Sequence, residues 1–157
     1  MARNFLLYWL PETVDFHLNS NYLLRNVGSS QIQRVTAGDT LWIVTTSEGF
    51  SLGLAGRLRV GDIVPLAVAK QLLQTDDLWH SEYHALAEVG TAERMSGVGL
   101  GFNVQKLRFI DGQPDRLLTH NGKINPAELK RMRELNSASS KLMKEIWFAA
   151  NLLQKQF

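Results

Sequence analysis

The sequence predicts an α+β fold: a small, mostly antiparallel β-barrel with short flanking helices and a pair of helices at the C-terminal end. Short apolar and aromatic runs separated by glycine-containing turns fill about residues 5–110, which is typical of a small barrel. Apolar residues then recur at helical spacing over about residues 126–154. A length of 157 residues corresponds to one domain, so we expect residues 1–157 to fold as a single unit.

The first half of the barrel is predicted from four segments. Residues 5–10 form an aromatic and aliphatic strand that ends at a proline, and residues 12–26 predict a loop with a short helix. Residues 40–46 are β-branched and aromatic and follow a Gly-Asp turn, which makes them the strongest strand candidate. Residues 52–60 resume a strand, and their glycines indicate a bulge or a close approach of the backbone.

The rest of the β-rich part is predicted from shorter apolar runs. Further strands are expected over residues 62–68, 80–89 and 102–110. A short helix over residues 68–73 is the alternative to the end of the first of these strands. A turn over residues 111–114 closes the region.

Two helices are predicted at the C-terminal end. Asn125 and Pro126 supply a capping side chain and a proline at the first helical position. The inward positions of this helix are Leu129, Met132 and Leu135. Residues 136–139 mark a restart, after which a second helix carries a stripe of apolar residues: Leu142, Met143, Ile146, Trp147, Ala150 and Leu153.

Composition excludes several classes of site. The chain has no cysteine, so disulfide scaffolds, thiolate metal sites and cysteine nucleophiles are absent. It also lacks a Gly-x-Ser-x-Gly elbow, and nothing in its carboxylate pattern proposes an enzyme. The longest apolar run near the start is far shorter than the ~20 residues of a membrane helix. We therefore expect a cytoplasmic protein with no membrane partner.

Charge is distributed unevenly along the chain. The net charge of +2 is too small to argue for nucleic-acid binding by itself. From residue 103 onwards, however, ten Lys or Arg face five Asp or Glu, whereas residues 76–93 hold five acidic residues and no Lys or Arg. The basic C-terminal third predicts either a surface that attracts phosphates or a solvated helix face.

Two motifs allow alternative interpretations. His80, Glu82 and His84 alternate on a predicted strand, where they would share a metal ion or simply be exposed polar positions. The glycine-rich residues 96–102 lack the Lys-Ser/Thr pair of a phosphate loop, and a flexible loop or a bend at the barrel rim is the simpler interpretation.

The four tryptophans are the most informative residues. Trp147 lies in the apolar helix stripe and Trp42 in the middle of a strand, so both are predicted to pack in the core. Trp9 and Trp79 stand at strand ends, where aromatic side chains either pack internally or form a slot that stacks a planar base.

Three segments resemble the EVE domain of the PUA-like superfamily, which is related to the YTH and SRA readers of modified bases. They are Tyr-Trp-Leu-Pro-Glu-Thr over residues 8–13, Gly-Asp-Thr-Leu-Trp-Ile-Val over residues 38–44 and Gly-Leu-Ala-Gly-Arg-Leu-Arg-Val over residues 53–60. The stretch over residues 79–86 is similar to the place where the family resumes its barrel. The resemblance covers about residues 5–110.

The resemblance implies a module that recognises a modified, methylated base in DNA or RNA, without a cofactor. Its expected base-binding pocket comprises Trp9, Leu10, Glu12, Thr13, Trp79 and Tyr83. The Lys and Arg residues expected to hold phosphates are Lys106, Arg108, Lys130, Arg131 and Arg133. A nuclease on a separate chain is an expected partner.

Two other functions remain as alternatives at this stage. One is a metal-dependent hydrolase that uses His80, Glu82 and His84. The other is an assembly module whose C-terminal helices dock a partner through Leu142, Ile146, Trp147 and Leu153.

Overall fold

The computed structural model describes residues 2–20, 22–47, 51–121 and 123–155, and the side chains of these residues up to 152. It is an α+β fold built on a mixed sheet of seven strands. The strands are β1 (Asn4–Tyr8), β2 (Leu23–Leu24), β3 (Asn26–Gly28), β4 (Thr40–Thr46), β5 (Leu52–Pro65), β6 (Tyr83–Ala87), β7 (Glu93–Arg94), β8 (Val98–Gly99), β9 (Thr119–His120), β10 (Lys123–Ile124) and β11 (Arg133–Glu134). The α-helices are α1 (Pro11–Asn19), α2 (Leu66–Leu73) and α3 (Ser137–Lys155), and short 3-10 helices cover Ile32–Arg34, Gly101–Lys106 and Pro126–Leu129.

The main sheet runs in the order β11-β1-β4-β5-β6-β3, with β8 paired to one end of β5. Strands β1 and β4 are parallel, and the other pairs are antiparallel. The two outer strands of this path, β11 and β3, are not paired with each other. The expected closed barrel is therefore not formed by the described strands, and the sheet is open.

Side chains bridge the gap between the two ends of the sheet. Gln31, just after β3, donates from Nε2 to the Lys130 carbonyl oxygen at 3.1 Å and accepts from the Met132 N–H at 2.9 Å. Arg34 donates to the Met132 carbonyl oxygen. The segment after β3 is thus joined to the segment before β11 by side chains, where a closed barrel would have a backbone ladder.

Both faces of the sheet are buried, and a bulge in β5 changes which face its side chains meet. The register of β4 and β5 shifts opposite Ile43 and Val44, as the glycines of this strand predicted. Because one extra residue reverses the alternation of side chains, Leu54 and Leu58 face opposite sides of the sheet although they are four residues apart. Two apolar clusters result. One contains Phe5, Leu41 and Leu58, and the other lies under α3.

The structure confirms the strand over residues 40–46 and the short helix after the first strand. Strand β5 continues to Pro65 and joins two segments that were predicted as separate strands. The prediction of a strand over residues 102–110 was wrong, because Gly101–Lys106 is a 3-10 helix. Gly101 has a φ of +54°, and the buried Val104 and Leu107 lie three residues apart on the inner side of this turn.

The predicted pair of C-terminal helices was also wrong. Asn125 caps as expected, accepting from the Ala127 N–H at 3.0 Å, but the helix is a 3-10 turn that ends at Leu129. The chain then forms β11, which pairs with β1 and covers the open edge of that strand. The first of the two expected helices therefore does not continue. One long helix, α3, follows. Among the helices that the structure describes, none is long and apolar enough to cross a membrane.

Candidate functional site

A cavity of about 330 Å³ opens where β3 ends and β6 begins. These strands are antiparallel and pair Gly28 with His84, so the segment that leaves β3 lies beside the segment that enters β6. The described residues that line the cavity are Ser29, Ser30, Ile32, Gln33, Trp79, His80, Ser81, Glu82 and Tyr83. Its volume is at the lower end of the range for small-ligand pockets, about 300–1,000 Å³.

A second depression, of about 490 Å³, lies along α2 and is larger. It is wide open to solvent, and no aromatic side chain is among its described lining residues. The smaller cavity is the better candidate because it is more enclosed and combines aromatic and polar groups.

Two aromatic side chains contribute to the cavity wall. Trp79 is 67% exposed, so most of its indole is available to a ligand. Tyr83 is half-buried and packs against the first apolar cluster, so its ring is held by the core. The cavity therefore combines one freely accessible ring with one fixed ring, both suited to stacking against a planar group.

The polar groups of the wall are mostly unused by the fold. Ser30, Gln33, His80 and Glu82 make no side-chain hydrogen bond to the part of the chain that the structure describes. Ser81, in contrast, donates to the Tyr83 carbonyl oxygen at 3.1 Å. Together with the Trp79 indole N–H and the Tyr83 hydroxyl, which also make none within the described part of the chain, these four side chains remain for a ligand or for water.

A chain of hydrogen bonds behind the cavity holds the Trp79 backbone. Tyr22 donates its hydroxyl hydrogen to Oδ1 of Asn26 at 3.1 Å, so the Asn26 amide presents Nδ2 to Nδ1 of His84 at 3.2 Å. Nδ1 therefore accepts, and Nε2 carries the proton that it donates to the Trp79 carbonyl oxygen at 3.0 Å. The network fixes His84 in its neutral Nε2–H form.

Burial acts on both ends of this network. Burial lowers the pKa of His84 below its usual value of 6.5, although the hydrogen bond to the Trp79 carbonyl opposes the shift. Burial raises the pKa of Tyr22 above 10.0, against the opposing effect of Arg25. Both groups are thus neutral near pH 7, which the pattern of donors and acceptors requires.

Gly28 makes room for this arrangement. A Cβ atom at this position would lie 2.6 Å from Cε1 of the His84 ring, closer than real Cβ contacts allow. The His84 side chain is fully buried, so it has little space to move away. A residue without a side chain is therefore needed where β3 faces His84.

Four of the six predicted base-binding residues lie elsewhere, which corrects the expected pocket. Trp9, Leu10, Glu12 and Thr13 are not among the described residues of the cavity wall. Trp9 is half-buried, packs against the first apolar cluster and stacks near His17 with ring centroids 5.4 Å apart. The other three stand at the start of α1 or just before it, while Trp79 and Tyr83 do line the cavity.

The alternative of a metal site at His80, Glu82 and His84 is wrong as well. His84 is fully buried, and both of its ring nitrogens are engaged in the network described above. His80 and Glu82 are exposed on the cavity wall. In the described parts of the chain, no group of three His, Asp or Glu residues is arranged to hold a metal ion.

Arg133 is buried in an ion pair with Asp111, which corrects its predicted role in phosphate binding. Its side chain is 7% exposed and donates to Asp111 at 2.9 Å, and Arg34 donates to the same carboxylate at 2.7 Å. Burial alone would raise the pKa of Asp111, but hydrogen bonds from Arg34, the Glu134 N–H and Arg133 lower it. This carboxylate therefore pairs the two guanidinium groups and leaves Arg133 unavailable to a ligand.

The other predicted phosphate-binding residues remain on the surface in different places. Lys130 and Arg131 are exposed, and Gln31 of the cavity segment over residues 29–33 donates to the Lys130 carbonyl oxygen. Arg131 also donates to the Asp111 carbonyl oxygen at 3.1 Å. Lys106 is exposed, and Arg108 donates to the carbonyl oxygens of two neighbouring residues. No described contact connects these last two residues with the cavity.

The helix stripe that was expected to dock a partner is covered by the protein itself. Trp147 is 1% exposed, and its ring lies edge-on to the fully buried Trp42 with centroids 6.5 Å apart, which confirms both as core residues. Leu142 and Ile146 pack partly buried against the same cluster. The side chain of Leu153 lies outside the described ones.

Sequence reasoning missed the polar half of the cavity. Ser29, Ser30 and Gln33 follow β3. This strand has three residues, which is too short for an alternation of apolar and polar side chains to be recognised. The Gly-Ser-Ser sequence over residues 28–30 was the available signal, but it does not indicate which distant segment lies opposite.

No model of a known protein family matches the chain, and no characterised protein is significantly similar to it in sequence.

Proposed function

We propose that this protein is a nucleic-acid-binding module of the PUA-like, EVE type that holds one modified base in the cavity between residues 29–33 and 79–83. The observation that carries the proposal is the exposed indole of Trp79 at the wall of a cavity of about 330 Å³ that is more enclosed than the depression along α2. Base stacking on an aromatic side chain contributes about 1–3 kcal/mol, and it requires such an accessible ring.

The cavity wall supports a planar heterocycle better than a purely apolar ligand. The rings of Trp79 and Tyr83 provide apolar faces, and the free side chains of Ser30, Gln33 and Glu82 provide polar contacts. A nucleobase presents the matching combination of apolar faces and polar edges. A methyl group on the base would add about 0.8 kcal/mol if it is buried, so methylation would be recognised by apolar contact.

Backbone phosphates would be held beside the cavity by Lys130 and Arg131. Both are exposed, and Gln31 ties the Lys130 backbone to the cavity segment. Contacts of this kind give an affinity that falls as salt rises and that does not depend on sequence. Trp9, Leu10, Glu12, Thr13 and Arg133 have no part in the proposed interface, and neither do Lys106 and Arg108.

The decisive experiment compares binding of short DNA and RNA oligonucleotides with and without a single methylated base. We expect tighter binding to at least one methylated oligonucleotide, and a loss of about 5- to 150-fold in Trp79→Ala, the range that corresponds to one stacked base. Phe102→Ala is the matched control because Phe102 is 86% exposed but lies on a different element.

Two outcomes would overturn the proposal. One is equal, weak affinity for every oligonucleotide at both low and moderate salt. The other is an equal effect of Trp79→Ala and Phe102→Ala on binding. The expected setting of the module, a cytoplasmic complex with a nuclease on a separate chain, is part of the same proposal.

A further inference from the structure

We propose that the cavity selects a base that presents an amino group, such as cytosine or adenine, over one that presents a carbonyl oxygen there, and that Glu82 is the residue that makes this choice. The inference rests on the proposed function, because it concerns the base that the same cavity would hold. It adds a specificity that stacking cannot supply, since every base has an aromatic face.

The position of Glu82 is fixed while its carboxylate is free. The backbone carbonyl oxygen of Glu82 accepts from the Leu66 N–H at 3.0 Å, and the next residue, Tyr83, pairs with Pro65 in the sheet. The side chain lies on the cavity wall and makes no hydrogen bond or ion pair with the described parts of the protein. A ligand therefore meets an unpaired carboxylate on a rigid strand end.

The carboxylate of Glu82 is the one described side-chain group of the wall that only accepts hydrogen bonds, whereas the Trp79 indole N–H only donates. Serine and glutamine side chains can both donate and accept, so Ser30 and Gln33 can adapt to either kind of base edge. An ionised carboxylate only accepts. A base amino group facing Glu82 would form a charge-assisted hydrogen bond, whereas a carbonyl oxygen in the same place would be repelled.

The charge of the wall supports the same conclusion. Lys and Arg are absent from the described residues that line the cavity. Nothing there neutralises Glu82, so a phosphate or another anion is disfavoured inside the cavity. The group that enters is therefore the base, with its N–H donors directed at the carboxylate.

The pair 5-methylcytosine and thymine tests this inference. Both are pyrimidines with a methyl group on C5, but cytosine carries an amino group on C4 where thymine carries an oxygen. We expect the wild-type protein to bind an oligonucleotide with one 5-methylcytosine on the order of tenfold more tightly than the same oligonucleotide with thymine at that position.

The matched variants are Glu82→Gln and Asp77→Asn, which remove the same charge. Asp77 is exposed and close in sequence but is not a described lining residue. We expect Glu82→Gln to reduce the tenfold ratio to about one, because the amide can donate to thymine. Asp77→Asn should change both affinities by the same factor and leave the ratio as it is.

The outcomes separate the two proposals. If both oligonucleotides bind through Trp79 with equal affinity, or if Glu82→Gln leaves the ratio unchanged, the role of Glu82 is wrong and base binding by the cavity stands. If no oligonucleotide with a methylated cytosine or a methylated adenine binds more tightly than its unmodified counterpart, and Trp79→Ala has no effect, the proposed function itself fails.

Discussion

Trp147 and Trp79 show two different uses of the same side chain. Trp147 is 1% exposed, lies edge-on to Trp42 and donates from Nε1 to Glu93 at 3.2 Å, so both its apolar ring and its polar atom are used by the fold. Trp79 is 67% exposed, and its backbone carbonyl oxygen accepts from Nε2 of His84 at 3.0 Å and from the Ser81 N–H at 2.8 Å. The fold thus fixes the backbone of Trp79 but leaves the surface of its ring free, which is the arrangement expected of a ligand-binding residue.

The largest expected effect tests this contrast directly. Trp147→Ala should lower the free energy of unfolding by about 3–5 kcal/mol, because it leaves a cavity in the cluster under α3. Trp79→Ala should change it by no more than about 0.5 kcal/mol, as is usual for an exposed side chain. Urea unfolding followed by circular dichroism measures both values. Similar losses in the two variants would mean that Trp79 belongs to the core.

A smaller effect is expected at the network behind the cavity. Gly28→Ala places a methyl group 2.6 Å from Cε1 of the buried His84 ring, and overpacking of this kind costs about 1–3 kcal/mol. Gly99→Ala is the control, because a Cβ atom there meets nothing within 4 Å. Thermal or urea unfolding of the two variants is the measurement. Equal stability would show that His84 can shift without cost.

The smallest effect concerns pH and distinguishes the network from the core. The pKa of His84 is lowered by burial, so below pH 6.5 the unfolded chain binds a proton that the folded chain does not. Stability should therefore fall as the pH decreases from 6.5 to the folded-state pKa, and this contribution is constant above 6.5. Urea unfolding at a series of pH values measures it. The same slope in His84→Gln would assign it to other groups.

The sequence predicts the parts of this fold that depend on local pattern. The strand over residues 40–46 is confirmed because its β-branched and aromatic side chains, Trp42 included, alternate between two apolar clusters. The burial of Trp147 follows from the helical spacing of the apolar stripe on α3. Asn125 caps a turn as its position predicts. These features need no knowledge of distant residues.

The parts that were predicted wrongly depend on long-range pairing. Residues 126–135 carry helix signals, but the open edge of β1 takes β11 as its partner, which outweighs local propensity. The cavity arises because β3 and β6 pair although Asn26 and His84 are 58 residues apart in sequence. Trp9 and Trp79 both lie near strand ends, and only the topology shows that Trp79 lies at the cavity beside β3 and β6.

The side-chain bridge at Gln31 has a consequence for ligand geometry. One carboxamide holds the backbone at both Lys130 and Met132, while its neighbours Ser30 and Ile32 form part of the cavity. Gln31, together with Arg34, which donates to the Met132 carbonyl oxygen, therefore sets the separation between the segment over residues 29–33 and the Lys130 main chain. In the proposed complex, Gln31 would thus limit the distance between a bound base and the phosphate that follows it.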